Sequence, residues 1–231
     1  MSDNNAPRSL LAWMRRFPKN WLIMRINWGA AQEAASFVRG RILDVGCGER
    51  PYEELFSPLV KRYVGIDWPA TLHARCSVDA WADATRLPFS AHSFETVCAF
   101  QVLEHIAQPT LAIAEMARVL VEGGHVVLTT PFMWGLHEEP YDFYRFTSHG
   151  LRHLCEQHGL EIVSITPLAG LWAVIALRAS YALSDVIGEG MMASPILLFL
   201  QVIGRVLDKL WPVPGDPTSY LTIARKATII H

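Results

Sequence analysis

The sequence is short of charge, and of positive charge in particular. Asp, Glu, Lys and Arg make up 18% of 231 residues, against 51% hydrophobic residues. This balance excludes a disordered chain, because disorder requires too little apolar surface to offset the entropy of folding. Lys and Arg number 20 and Asp and Glu 22, for a net charge of −2. The basic stripe with which a nucleic-acid binder neutralises phosphates is missing. The expected partners are small molecules, lipids or other proteins, with no nucleic acid among them.

Cysteine is equally scarce. Cys47, Cys76, Cys98 and Cys155 are scattered, with no C-x-x-C pair and no zinc-ligand spacing. Neither a disulfide framework nor a zinc module is expected, and the thiols read as reduced, in the cytoplasm. The longest apolar run, residues 191–200, is followed by Gln201 and Arg205 and falls well short of the roughly 20 residues that a spanning helix needs. The opening MSDNNAPRSL holds no apolar stretch ahead of a small-residue cleavage site, so no secretory signal is expected. Internal repeats and low-complexity tracts are missing as well, and the length suits one domain with additions.

What is present reads as alternating α/β structure. A helical stretch over residues 21–38 ends at Gly40, and apolar runs at 41–45, 62–66, 74–78, 94–100, 125–130, 161–165 and 220–224 predict strands. Helices are predicted at 51–56, 109–120 and 150–158. The second opens on Pro109 and presents Leu111, Ala114, Ala117, Val119 and Leu120 as its apolar face; the third is capped by Thr147 and stopped by Gly159. Such alternation builds a parallel sheet covered on both faces. Between the last two strands, where a few residues would suffice, lies a long insertion with apolar helical segments at 171–187 and 195–210. Gly188-Glu189-Gly190 breaks it and the proline-rich 211–217 closes it. The chain thus divides into a helical leader over 1–40, a domain over 41–168 plus 218–228, and a helical insertion over 169–217.

Residues 42–48, ILDVGCG, carry a buried strand into a turn with glycines two apart, where a ligand can meet bare backbone. Asp44 precedes the glycines, and Asp67 ends the next strand about 20 residues on, placed to accept hydrogen bonds from ribose hydroxyls. A dinucleotide would favour a third glycine and no carboxylate near its pyrophosphate, but Glu49-Arg50-Pro51 stands where that glycine would follow. A nicotinamide-dependent oxidoreductase is therefore disfavoured. S-adenosylmethionine carries a cationic sulfonium and ammonium instead, and an acid beside the turn attracts both.

At these residues the sequence resembles the class I S-adenosylmethionine-dependent methyltransferases, and within them the type 11 group related to quinone-biosynthesis enzymes. DVGCG at 44–48 resembles the first family motif, GID at 65–67 the second, and DATRLPF at 83–89 the segment that sets a carboxylate at the adenine amino group. FETV at 94–97 and LEHI at 103–106 resemble the fourth strand and its exit, and VLVEGG at 119–124 the turn into the fifth. The resemblance covers about residues 41–168 and the last strand. It implies an α/β, Rossmann-like seven-stranded sheet in the order 3-2-1-4-5-7-6 with strand 7 antiparallel. It also implies S-adenosylmethionine as cofactor, with S-adenosylhomocysteine as product, at the carboxyl ends of the parallel strands. By position, Gly46 and Gly48 would make room for the methionine part with Asp44 at its charged end. Asp67 would take the ribose, Asp83 the adenine, and Gln101 would line the pocket after strand four, with Cys47, Trp68 and Ala84 beside them.

Methyl transfer from a sulfonium is an in-line displacement, so the acceptor atom must be held opposite the methyl, and a base is needed only where that atom carries a proton. Candidates follow strands four and five: Glu104 and His105, and the string PFMWGLHEEPYDFYRFT at 131–147. His105 and His137 are the catalytic candidates. Trp134, Glu138, Asp142, Tyr144 and Arg145 are the substrate-binding candidates, an inventory suited to a polyol. Asp142 and Arg145 also suit an ion pair that orders the segment. No metal is expected, because His137-Glu138-Glu139 lacks the H-E-x-x-H spacing. PYDFYRFT at 140–147 resembles a subset of type 11 enzymes linked with bacterial glycan or glycolipid modification.

Strand six should run parallel to the first five, so the insertion leaves the sheet beside the active site, placed as a lid. Trp172, Leu177, Tyr181, Met191, Met192, Leu197, Leu198, Phe199 and Trp211 make it too apolar to leave fully solvated. Its sinks are a hydrophobic acceptor, a membrane face, or a second copy in a homodimer through 169–217, and the plainer alternative is an ordinary helix pair buried on the domain. Arg178, Arg205 and Lys209, with Arg15, Arg16, Lys19 and Arg25 among Trp13, Phe17, Trp21 and Trp28, suit an anionic lipid surface. The expected activity is O-methylation of a glycan, lipid-linked or apolar-tailed small-molecule acceptor, by a cytoplasmic protein that contacts the inner face of the membrane. The alternative is a non-catalytic interaction protein of the same fold, with the insertion as its interface.

Overall fold

The computed structural model describes residues 18–71, 78–188 and 194–228. Seven strands form one sheet: β1 Arg41–Val45, β2 Arg62–Asp67, β3 Ala80–Trp81, β4 Phe94–Phe100, β5 Leu120–Pro131, β6 Leu160–Leu168 and β7 Ser219–Lys226. Their spatial order is β3-β2-β1-β4-β5-β7-β6. β7 is antiparallel to both neighbours, and the remaining pairings are parallel. This is the architecture that the sequence motifs imply.

The central strands are buried on both faces, and their side chains alternate between two cores, as the two-residue period of a strand requires. Ile42, Cys98, Phe100, Val127 and Ile223 share one core with Ala30, Ala31 and Ala34 of α1, Trp21–Ala34, and with Phe56 at the end of α2, Glu53–Phe56. Leu43, Val97, Ala99, Val126 and Leu128 share the other with α3, Pro109–Val119, and α4, Ser148–Glu156. Burying each such Leu or Ile contributes about 2 kcal/mol.

The departures from expectation have local causes. α1 stops at Ala34 and gives way to a 3-10 turn over Ala35–Phe37. α3 buries Ala112, Ile113, Met116 and Ala117, while Leu111 is 48% exposed; the bulkier Ile113 and Met116 win the space against the sheet. The third strand falls at Ala80–Trp81 rather than at 74–78, of which 74–77 lie outside the described residues. It stays short because the Asp79 carboxylate accepts the Gly65 N–H at 2.8 Å just before the pairing of Ile66 with Ala80. Thr147 caps α4 as expected, accepting the Gly150 N–H at 3.0 Å.

The insertion forms a helical hairpin, α5 Leu171–Ile187 and α6 Ser194–Leu210. Residues 189–193, including Met191 and Met192, lie outside the described residues, as do Cys76 and the leader positions Trp13, Arg15, Arg16 and Phe17. α5 packs on α1 through Leu22, Ala173 and Leu177. α6 is turned inside out. Its buried positions are Leu197, Gln201 and Gly204, with Asp208 half-buried on the same stripe, while Ile196, Phe199, Ile203, Val206 and Leu210 are exposed.

Candidate active site

β1 ends at Val45 and the chain turns at Gly46, whose φ of +68° is a conformation that side chains disfavour. A Cβ there would also lie 2.5 Å from Val102 Cγ2. The turn is tied to the end of β2. The Cys47 N–H donates to the Ile66 carbonyl at 3.0 Å, and the Gly48 N–H donates to Asp67 Oδ2 at 3.0 Å. Asp67 Oδ1 accepts the Trp68 N–H at 2.6 Å. One carboxylate thereby fixes two loops whose residues are far apart in sequence.

Above these loops, at the carboxyl ends of β1, β2 and β4, opens a cavity of about 460 Å³, within the size range of small-molecule sites. Gly46, Asp67, Trp68, Asp83, Ala84 and Gln101 line it, six of the nine cofactor candidates. Asp44, Cys47 and Gly48 do not. Asp44 lies beneath, accepting from the Tyr63 hydroxyl and from Cys98 Sγ at 3.4 Å. Burial pushes its pKa up to about 6 against those hydrogen bonds. Cys47 is buried, which raises its thiol to about 12, and Gly48 serves the Asp67 anchor. Asp83 is ordered by its own turn, accepting the N–H and the hydroxyl of Thr85 at 2.8 and 2.7 Å.

A second cavity of about 280 Å³ shares Gln101, His105 and Glu138 with the first. Trp134 and His137 line it from the 131–147 segment, Arg178 and Tyr181 from α5, and Asn20, Ile23, Met24 and Asn27 from α1 and its lead-in. Gln101 and Glu138, at the junction, have φ of +55° and +52°. Left-handed non-glycine residues are costly and cluster where a site demands them. Gln101 is held so by its N–H donating to the Thr129 carbonyl at 2.9 Å, while its buried Nε2 has no hydrogen-bond partner among the described residues.

The two candidate histidines meet there, ring centroids 4.9 Å apart. His105 Nδ1 lies 2.9 Å from the Tyr141 carbonyl; a carbonyl only accepts, so Nδ1 carries a hydrogen. His137 Nδ1 lies 3.3 Å from both the Gly135 carbonyl and Asp142 Oδ2, with the same consequence. Burial lowers the His137 pKa, keeping the ring neutral. Glu104, between β4 and His105, is fully buried, and burial raises its carboxyl to about 8.

Of the substrate-binding candidates, Trp134 and Glu138 line the second cavity; Asp142, Tyr144 and Arg145 line neither. Arg145 grips Asp142 with two bonds of 2.6 and 2.7 Å and donates to the Gly135 carbonyl at 2.6 Å. Against the upward push of burial, this guanidinium holds Asp142 down at about 2. The Tyr144 hydroxyl donates to the Ala107 carbonyl at 2.9 Å. These three side chains order the segment that presents His137 and Glu138. Asn20 and Asn27 were not candidates, although a signal existed: with Ile23 and Met24 they repeat at i, i+3, i+4 and i+7, two amides set into an otherwise apolar helical stripe.

A family model described as a methyltransferase domain matches residues 26–165, more than half of the chain. The phosphatidylethanolamine N-methyltransferase of Cereibacter sphaeroides is 31% identical over 134 residues, covering 49% of this chain and 66% of that protein. The ubiquinone biosynthesis O-methyltransferase of Vibrio cholerae is 28% identical over 123 residues, covering 46% and 48%. The chain spans 38% to 69% of the length of such curated relatives. The solved phosphoethanolamine N-methyltransferase 2 of Haemonchus contortus, in complex with S-adenosyl-L-methionine, has the same fold, with a TM-score of 0.58 at 15% identity over 91% of this chain and 56% of that one. With its motifs, sheet order and family match in agreement, the chain belongs to the methyltransferase-domain family.

Proposed function

We propose that this chain transfers the methyl group of S-adenosylmethionine to a hydroxyl of an apolar-tailed or lipid-linked acceptor. The observation that carries the reading is the junction of the two cavities at Gln101, His105 and Glu138. The first cavity suits the cofactor. Asp67 faces it for the ribose hydroxyls and Asp83 for the adenine amino group, while Trp68 and Tyr141, rings 4.9 Å apart, form an aromatic wall. The second suits the acceptor, with Trp134 and Tyr181 as apolar walls and Asn20, Asn27 and Arg178 as polar groups. An acceptor oxygen at the junction, beside His105 and His137, faces the methyl carbon for in-line attack, and such alignment supplies a large share of the acceleration.

The apolar tail follows from α6. Its exposed residues Ile196, Phe199, Ile203, Val206 and Leu210 recur at helical spacing, with Trp211 beyond them, Arg205 partly exposed and Lys209 exposed. That pattern suits a helix lying in an anionic lipid surface. Among the described residues no helix is long and apolar enough to cross a membrane, so the proposal is surface contact. The names of the Cereibacter and Vibrio relatives, a phosphatidylethanolamine N-methyltransferase and a ubiquinone biosynthesis O-methyltransferase, support an acceptor with an apolar tail.

The test is incubation with methyl-labelled S-adenosylmethionine and separate lipid, quinone-like and soluble glycan pools. Label is expected in an organic-phase product. Label confined to water-soluble products contradicts the apolar tail, and none in any pool favours the interaction-protein alternative.

A further inference from the structure

At the seam between the cavities three side chains converge from two separate loops. Glu104 and His105 follow β4, His137 follows β5, and one ligand atom from each lies within 4.8 Å of the other two. Glu104 is 0% exposed, and among the described residues neither carboxyl oxygen has a hydrogen-bond partner. A buried carboxyl with no donor is costly unless something else satisfies it. Both imidazoles are oriented from behind, His105 Nδ1–H on the Tyr141 carbonyl and His137 Nδ1–H towards the Gly135 carbonyl and Asp142. Metal-bound histidines are held in this way, the far N–H on a carbonyl or carboxylate and the other nitrogen left for the ion. His105 Nε2 moreover faces Glu104 Oε1 at 3.9 Å and Glu138 Oε2 at 3.8 Å. A ring nitrogen set against two carboxyl groups is a place for a shared cation.

We propose that Glu104, His105 and His137 form a binding site for a divalent first-row transition cation, with Glu138 at its edge. Two imidazoles and one carboxylate suit Zn²⁺, Mn²⁺ or Fe²⁺ rather than Mg²⁺ or Ca²⁺, which prefer oxygen ligands throughout. His137-Glu138-Glu139 lacks local metal spacing because the other two ligands come from the neighbouring loop. The catalytic role rests on the proposed function. An acceptor hydroxyl on the cation gives up its proton more readily, and that proton passes to the Glu138 carboxylate. The oxygen then bonds to the methyl carbon as the carbon–sulfur bond breaks, and sulfur keeps the electron pair as the neutral thioether of S-adenosylhomocysteine.

The test uses the full chain, stripped with chelator and titrated with Co²⁺, whose visible absorption reports nitrogen ligands, and with Zn²⁺ by calorimetry. One equivalent is expected to bind, and Glu104→Gln and His137→Ala are each expected to weaken binding at least about 100-fold, the upper end of the loss for even an outer partner. Neither residue lines the cofactor cavity, so unchanged affinity for S-adenosylmethionine certifies each variant as folded. Metal binding equal to the parent's in both variants, or none in the parent, overturns the site. If Glu104→Gln fails to fold, His137→Ala, with a side chain 27% exposed, decides alone. Metal binding is read without turnover, so failure of this site and failure of the methyl-transfer reading are separately visible.

Discussion

Asp44 carries a clear pH signature. It is 2% exposed, and burial, opposed by the Tyr63 hydroxyl and the Cys98 thiol, raises its pKa from 3.8 to about 6. The folded state therefore holds this proton more tightly than the unfolded chain does. Its contribution to stability is complete below pH 3.8 and is lost as the pH rises to about 6. Above that the fold carries a buried carboxylate at a cost of up to about 3 kcal/mol. Asp44→Asn keeps an acceptor for Tyr63, and thermal melts of the cofactor-free protein should show it stabilised near pH 7.5 and little changed near pH 4. Equal melting at both pH values would contradict the assignment. Gly46 makes a separate prediction. Alanine there meets Val102 and a φ of +68°, a backbone cost of about 1–2 kcal/mol, and should abolish measurable cofactor binding in a protein that still folds.

At the scale of elements, the hairpin depends on polar residues that an apolar helix hides. Asp208 of α6 accepts from the N–H groups of Gly170, Trp172 and Ala173 at 2.9, 3.0 and 3.3 Å, capping α5 from outside its own segment. Gln201 accepts the Leu22 N–H at 2.8 Å and donates to the Pro18 carbonyl at 3.0 Å, stitching α6 to α1. Asp208→Ala should cost about 1–2 kcal/mol, as the loss of a helix cap does, and speed amide exchange across α5 while leaving β1 and β2 protected. Uniform exchange across the sheet would contradict that local role. These polar residues also mark where the sequence stopped being legible. The buried strands, the glycine turn and the sheet order could be read, because alternation and motif order are local. The inward face of α6 could not, since polarity ordinarily marks the solvent side and here Gln201 and Asp208 sit against α1 and α5. Nor could the convergence of Glu104, His105 and His137, which only the juxtaposition of the loops after β4 and β5 creates.

Across the whole molecule, the hairpin joins the proposed acceptor cavity, through Arg178 and Tyr181, to the exposed apolar face of α6. Flotation with anionic vesicles at low salt should carry the protein upward, and Phe199→Asp combined with Ile203→Asp should release it. A stable dimer in sedimentation, lost in the same variant and without vesicle binding, would assign that face to a second copy instead. Everything proposed of the acceptor side presupposes an occupied cofactor cavity anchored by Asp67, whose carboxylate ties the Gly48 and Trp68 N–H groups together. The most direct test is calorimetric titration with S-adenosylmethionine of the parent chain and of a folded Asp67→Ala variant. Saturable 1:1 binding is expected, weakened at least about tenfold by the substitution, equivalent to a loss of about 1.4 kcal/mol or more. No binding by the parent, or equal binding by both proteins, would contradict it.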